Sequence, residues 1–238
     1  MTANQRAGRA AAAFAAGPAL VIGLILGLTS GWLAGLIAFV LVVVGLGAWA
    51  RFGGDRLVRR TLGGRPADPA TDARLCNLVE GLCTGIGVRT PELVVVDSPG
   101  LNALAAGSSS AHGLVAVTTG LLAELDRIEL EAVLAEVLWA IRYDETVPGT
   151  VSAATFGLLK ALTLEADRDS RADHGAVTLT RYPPALASAL EKIEAKGAAV
   201  SGQPGYLAPL WLADPRPAAP PSTGRLPLPE RIEALREL

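Results

Sequence analysis

Between Arg9 and Arg51 the chain carries no charged residue. As one continuous helix that stretch would be roughly 60 Å long at ~1.5 Å per residue, about twice the ~30 Å hydrocarbon thickness of a bilayer. Two membrane passes fit this length. The polar, flexible Thr29-Ser30-Gly31 divides the run into spans at 11–29 and 32–50, with Trp32 and Trp49 placed as interfacial anchors. A cleaved signal peptide has an apolar stretch of only about 7–15 residues, so the run is read as a resident anchor. Arg6 and Arg9 precede the hairpin, and Arg51, Arg56, Arg59 and Arg60 follow it. That distribution predicts a multi-pass membrane protein whose two ends, and whose folded part, face the cytoplasm. Membrane lipid is therefore the first expected partner. Gly17, Gly23, Gly27, Gly35, Gly45 and Gly47 are expected to let the two helices approach closely.

The rest of the composition excludes more than it suggests. Lys plus Arg number 21 against 23 Asp plus Glu, a formal charge of −2, so no global field draws the chain to nucleic acid. Half the residues are hydrophobic and the mean hydropathy is +0.38, in keeping with a membrane segment joined to one modest domain. Cys76 and Cys83 would lie about 10 Å apart along one helix face, too far for a disulfide. With no further Cys or His nearby to complete a metal site, they read as small core residues.

Beyond a Gly/Pro-rich connector, Leu75, Leu78, Val79 and Leu82 recur at helical spacing within a helix from about Asp68 to Ile86. Pro91 introduces Leu93 to Asp97, a β-branched run closed by Ser98-Pro99-Gly100, which predicts a buried strand and a turn. Asn102–Gly107 and His112–Gly120 are two more strand candidates. Asp126 with Glu129 forms a capping-box start for a helix whose buried stripe is Leu130, Val133, Leu134, Val137, Leu138 and Ile141. Further helices are expected from about Ser152 to Arg171 and from Pro184 to Lys196. Proline and glycine dominate from Gly202 to Pro229, an irregular arm holding the isolated aromatics Tyr206 and Trp211, before a short terminal helix in PERIEALREL.

The ordered segments ARLCNLVEGLCTGIG, PELVVVDSPGLNALAAG, HGLVAVTTGLLAEL, LEAVLAEVLWAIRYD, SRADHGAVTLTRYPPALASALEKI and STGRLPLPERIEALREL resemble the HtpX-type membrane zinc metallopeptidases from about Ala10 onward. The resemblance implies an α+β fold: an N-terminal transmembrane helical hairpin, then a mainly helical zincin-like domain with a small β-sheet. The implied organisation is a cytoplasmic N-terminus at 1–10, the hairpin at 11–50, a connector at 51–70, a metallopeptidase-like domain at 71–201, and the Pro-rich arm with its terminal helix at 202–238.

That family's chemistry needs His-Glu-x-x-His on a helix, because residues four apart share a face and can both hold Zn²⁺ while the Glu activates water. The matching residues here are EVLWA. Glu136 and Ala140 stand at the histidine positions and Val137 at the general-base position. In DSRAD, Asp169 matches the third ligand and Asp173 the supporting aspartate. The resemblance thus implies zinc-dependent proteolysis, whereas the residues present predict no bound cofactor and a pseudoenzyme. The alternative is an active metalloendopeptidase with a rearranged site drawn from Glu136, Asp169, Asp173 or His174; such an oxygen-rich set favours Mg²⁺, Ca²⁺ or Mn²⁺ over Zn²⁺. Of the two histidines, His112 is assigned to a strand rim. Ser108, Ser109, Ser110 and Ser170 lack a nucleophile-elbow context.

Two further expectations follow from the resemblance. HtpX-type enzymes place a second membrane hairpin between their ligand-bearing helices, but the residues between Asp144 and Glu165 are too few for two passes, so VSAATFGLLKALTL is expected to be a core or membrane-surface helix. The strand containing Leu114, Val115, Ala116 and Val117 matches the edge that pairs with extended substrate, which would let an inactive protein still hold unfolded peptide or membrane-protein clients. The implied role is that of a peptide-binding or partner subunit in membrane protein quality control. The residues specify no oligomeric state.

Overall fold

The computed structural model of the chain describes residues 2–159, 165, 167–216 and 225–238. Helix α1 (Ala3–Ser30) starts at a capping box in which Thr2 and Gln5 satisfy each other's backbone N–H groups. A single residue, Gly31 at φ 97°, turns the chain into α2 (Trp32–Leu62). The two helices pack along one seam. A Cβ on Gly35 would lie 2.5 Å from the Gly23 carbonyl oxygen and 2.7 Å from the Gly27 Cα, so only glycine admits this approach. Gly17, Gly45 and Gly47 take no part, having nothing within 4 Å of a notional Cβ. Leu24, Ile25, Leu36 and Leu41 point outward and are more than half exposed, the reverse of a soluble core helix.

The expected connector after Arg51 is mostly helix. α2 runs on unbroken to Leu62, and its inner end buries Val58 and Leu62 in the folded domain. There follow β1 (Arg65–Pro66), α3 (Ala73–Ile86), β2 (Glu92–Val96), β3 (Ala103–Gly107), β4 (Gly113–Thr118), α4 (Thr119–Glu124) and α5 (Arg127–Arg142). Gly87 ends α3 in the left-handed conformation that helix C-termini favour. α5 begins at the anticipated Asp126/Glu129 capping box. Next come α6 (Thr146–Ala154), α7 (Arg168–Thr180), α8 (Pro183–Lys196), a 3₁₀ turn at Ala208–Leu210, and α9 (Leu228–Arg236).

The four strands are ordered β1-β2-β4-β3, with β2 and β4 parallel and the other pairs antiparallel. Alternate side chains enter two cores. Val95, Val115 and Val117 face α3, α5 and α8, while Val94, Val96, Leu114 and Ala116 face the inner end of α2 together with Leu207, Leu210 and Trp211. Burial on both faces explains why these strands read as continuous apolar runs.

Three expectations change. Leu114 to Val117 do not form an edge: β4 is flanked by β2 on one side and β3 on the other, so its backbone is already paired and offers no ladder to a peptide. The outer strand on that side, β3, is itself covered, because Leu104 bridges Trp211 and Leu212 N–H donates to Ala103 O at 2.7 Å. The Gly202–Pro229 arm is accordingly no loose appendage in its described part, and Trp211 is among the most buried side chains of the protein. Finally, the helix expected from Ser152 to Arg171 is replaced at its start by α6, which ends at Ala154, and at its end by α7, which begins at Arg168. Pro148 lies in the first turn of α6, where its missing N–H costs nothing. Residues 160–164 and 166 lie outside the described residues.

Candidate functional site

Helix geometry assembles the site from four segments. On α5, Glu136 and Ala140 lie four apart and so share a face, with Val137 beside them. α7 packs against α5 and presents Asp169 and Asp173, again four apart; Trp139 of α5 lies so close over Gly175 that a Cβ there would fall 2.1 Å from the indole. Glu136, Val137, Ala140 and Asp169 line one cavity of about 40 Å³, whose wall also includes Arg168, Arg225 and Trp211. The sequence-matched positions therefore converge.

Between the carboxylates stand guanidinium groups. Arg231, from α9, is 2% exposed and donates from Nε to Asp173 Oδ2 at 2.8 Å, from Nη2 to Asp173 Oδ1 at 2.5 Å, and from Nη2 to Glu136 Oε1 at 2.8 Å. Its Nη1 donates to Leu212 O at 3.3 Å. Arg225 approaches Asp169 with Nε at 3.4 Å and ties down the arm through Nη2 to Leu212 O at 2.6 Å. The Leu226 N–H adds a bond to Asp169 Oδ2 at 3.2 Å, and Arg168 Nη2 reaches Oδ1 at 3.4 Å. Three carboxylates thus meet three arginines, giving charge balance when all are ionised.

The electrostatics differ from carboxylate to carboxylate. Burial pushes the Glu136 carboxyl up to about 8; Arg231 beside it opposes the shift, while Asp173 and Asp169 reinforce it. Burial also acts to raise Asp169, but Arg225, Arg168 and Arg231 outweigh it and hold that carboxyl far below the ordinary range. Burial lowers Arg168, and Arg231 stands above its usual value because Glu136 and Asp173 overcome the cost of burying it.

The residues do not fit a zinc ion. One observation favours a cation: Glu136 Oε2 is buried without a hydrogen-bond partner. The remaining donors are engaged, however, Glu136 Oε1 and both Asp173 oxygens by Arg231, and Asp169 by Arg225, Arg168 and a backbone N–H. Ala140 and Val137 supply only carbon. A dication entering here would find the three carboxylates already paired with three arginines, so the site offers it no net negative charge. Among the described residues no group of three or more His, Cys, Asp or Glu is arranged to hold a metal. Neither histidine lies in this cavity: His174 is exposed and lines a separate groove with Trp139 and Tyr143, and His112 is exposed beside Ser109.

The chain matches the family model "Peptidase family M48" over residues 69–136, a match that stops at the first residue of the altered EVLWA segment. It is 31% identical over 222 residues to a Protease HtpX homolog of Dictyoglomus thermophilum, covering 76% of this chain and 73% of that one. A Protease HtpX homolog of Tropheryma whipplei is 30% identical over 246 residues, 84% of each chain. The chain belongs to the HtpX branch of peptidase family M48. A third HtpX homolog, from Acidiphilium cryptum, is 39% identical over 105 residues, 44% of this chain and 37% of that relative. No solved structure matches. With its two long apolar helices, this HtpX-type chain is a membrane protein.

Sequence reasoning found the four altered positions and missed the three arginines. Arg225 and Arg231 lie in or just after the Pro-rich arm, 95 residues from Glu136 in the case of Arg231, and no spacing rule links them to α5. The available signal was chemical: carboxylates matched to one site where no metal is expected call for cationic partners.

Proposed function

We propose that this chain is a catalytically inactive HtpX-type protein that serves as a membrane-anchored partner subunit in the handling of membrane proteins, with its hairpin crossing the bilayer twice and its folded domain on the cytoplasmic side. One observation carries the reading: Arg231 occupies the space between Glu136 and Asp173 with its donors spent on both carboxylates. A fixed guanidinium fills the place between the two acids, but it has no open coordination position for water. Val137 has no atom that accepts a proton, so a general base is missing as well. Loss of even a supporting partner around a metal ligand costs about 10–100-fold in affinity or activity, and the changes here strike the ligand positions themselves. The arginine distribution around the hairpin supports the orientation.

The test is elemental analysis of the detergent-purified protein, joined to cleavage of an unfolded protein with and without chelator. The expected result is far less than one zinc per chain and no chelator-sensitive cleavage; stoichiometric zinc with such cleavage would sink the proposal. The partner role is measured separately, as the turnover of membrane proteins in cells with and without the chain. Identical turnover removes that role and leaves the loss of catalysis standing.

A further inference from the structure

α6 is a third apolar helix wedged into the base of the hairpin, and its C-terminal end points toward the charge-free run of α2. A Cβ on Gly54 would lie 2.6 Å from Thr150 O, and the Trp49 indole N–H donates to Ala154 O at 3.1 Å. Moving forward along α6 therefore means moving backward along α2, toward the charge-free run. On the other flank Ala7 of α1 packs with Val147 and Val151. α6 thus ends beside Trp49, at the inner margin of the stretch without charges.

Past Ala154 the chain reverses tightly and leaves apolar side chains on the outside. Phe156 and Gly157 both take positive φ, 52° and 81°. For a bulky residue that conformation is unfavourable and persists only where the surroundings impose it. The Phe156 ring packs edge-on against Tyr206 at 5.5 Å, yet it stays 61% exposed, and Leu158 is 76% exposed. Phe52, one turn of α2 inward from Trp49, is 60% exposed.

We propose that Phe156 and Leu158 form a membrane-seating knuckle, inserted among lipid at the boundary between headgroups and acyl chains and continuous with the band marked by Trp49 and Phe52. The occupant is lipid rather than a protein groove because the chain leaves α6 beside Trp49, at the end of the charge-free run, and turns these two apolar side chains outward two and four residues later. The proposal rests on the membrane reading of that hairpin. The knuckle gives the folded domain a second point of contact with the bilayer, beside the one that α2 makes by running unbroken into the domain.

Spin labels on single cysteines test this in lipid nanodiscs. Leu158→Cys, and separately Phe156→Cys, are placed in the full-length chain carrying Cys76→Ser and Cys83→Ala, with Leu41→Cys and Glu191→Cys as reference positions. Collision with oxygen and with a water-soluble nickel chelate is then compared. Labels at 156 and 158 are expected to favour oxygen several-fold over the Glu191 reference, approaching the Leu41 value. Nickel access equal to that of Glu191 would overturn the proposal, and so would exclusion of both reagents, which means a protein covers the patch. If Leu41 itself behaves as aqueous, the hairpin reading fails; if Leu41 is in lipid and 158 is in water, only the knuckle fails.

Discussion

Glu129 and Glu136 lie two turns apart on α5, are each 5% exposed, and behave in opposite ways. Glu129 receives Lys192 Nζ at 2.7 Å, Ser188 Oγ at 2.8 Å and the Asp126 N–H at 2.9 Å. Against the opposing cost of burial these bonds hold its carboxyl below the ordinary range. Glu136 has one oxygen on a shared arginine and one with no partner, and burial carries it up. The difference teaches that exposure alone does not set the state of a buried acid; the number of donors reserved for it does. At Glu129 the fold finishes a helix start, whereas at Glu136 it buries an acid with one oxygen left unpartnered.

The contrast breaks most forcefully at Arg231. Arg231→Ala leaves Glu136 and Asp173 buried without their cation, a change that costs about 3–5 kcal/mol in comparable pairs, and unfolding by denaturant in detergent should show a loss of that order. Replacing Arg231, Glu136 and Asp173 together with apolar residues of similar volume should recover most of the loss; no recovery would mean that Arg231 acts by packing and not by charge.

The acids themselves give the next effect. Because the Glu136 carboxyl is raised in the folded protein, its stabilising contribution is present below the unfolded value of 4.5 and is lost as pH rises through about 8. Asp169 is lowered, so its contribution is present above its unfolded value of 3.8 and is lost as pH falls. Glu136→Gln should therefore gain stability relative to the parent between pH 5 and 9, and Asp169→Asn should lose it most at neutral pH. Melting curves across that range decide, and a flat difference for Glu136→Gln would show that Glu136 is ionised throughout.

At the other end of α5, Glu129→Ala removes the reciprocal cap and should cost about 1 kcal/mol, with no pH dependence above pH 6. Lys192→Ala should change least, since that ammonium is on the surface and Ser188 and the Asp126 N–H remain to satisfy the acid. A larger effect from Lys192 than from the cap would reverse the account of why Glu129 is held low.

Much of this was legible in the residues. The hairpin followed from an uncharged run, the start of α5 from Asp126 and Glu129, and the convergence of Glu136, Val137, Ala140 and Asp169 from helical spacing within the resemblance. The interior place of β4 was not, because a strand buried on both faces looks alike in sequence whether or not it sits at an edge. The packed arm was not legible either: Leu207, Leu210 and Trp211 lie among prolines with no period to mark a buried face. Arg168, Arg225 and Arg231 escaped for a related reason, since a long-range ion pair is set by tertiary placement.

Because α2 passes without a break from the hairpin seam to Leu62, it couples two environments like the arm of a lever. From Trp49 to Leu62 the rod is about 20 Å long, so a 10° change of slant in a thinner or thicker bilayer would swing its buried tip by about 3 Å. Val58 and Leu62 are buried in that core, so a swing of this size at the tip would register in its packing.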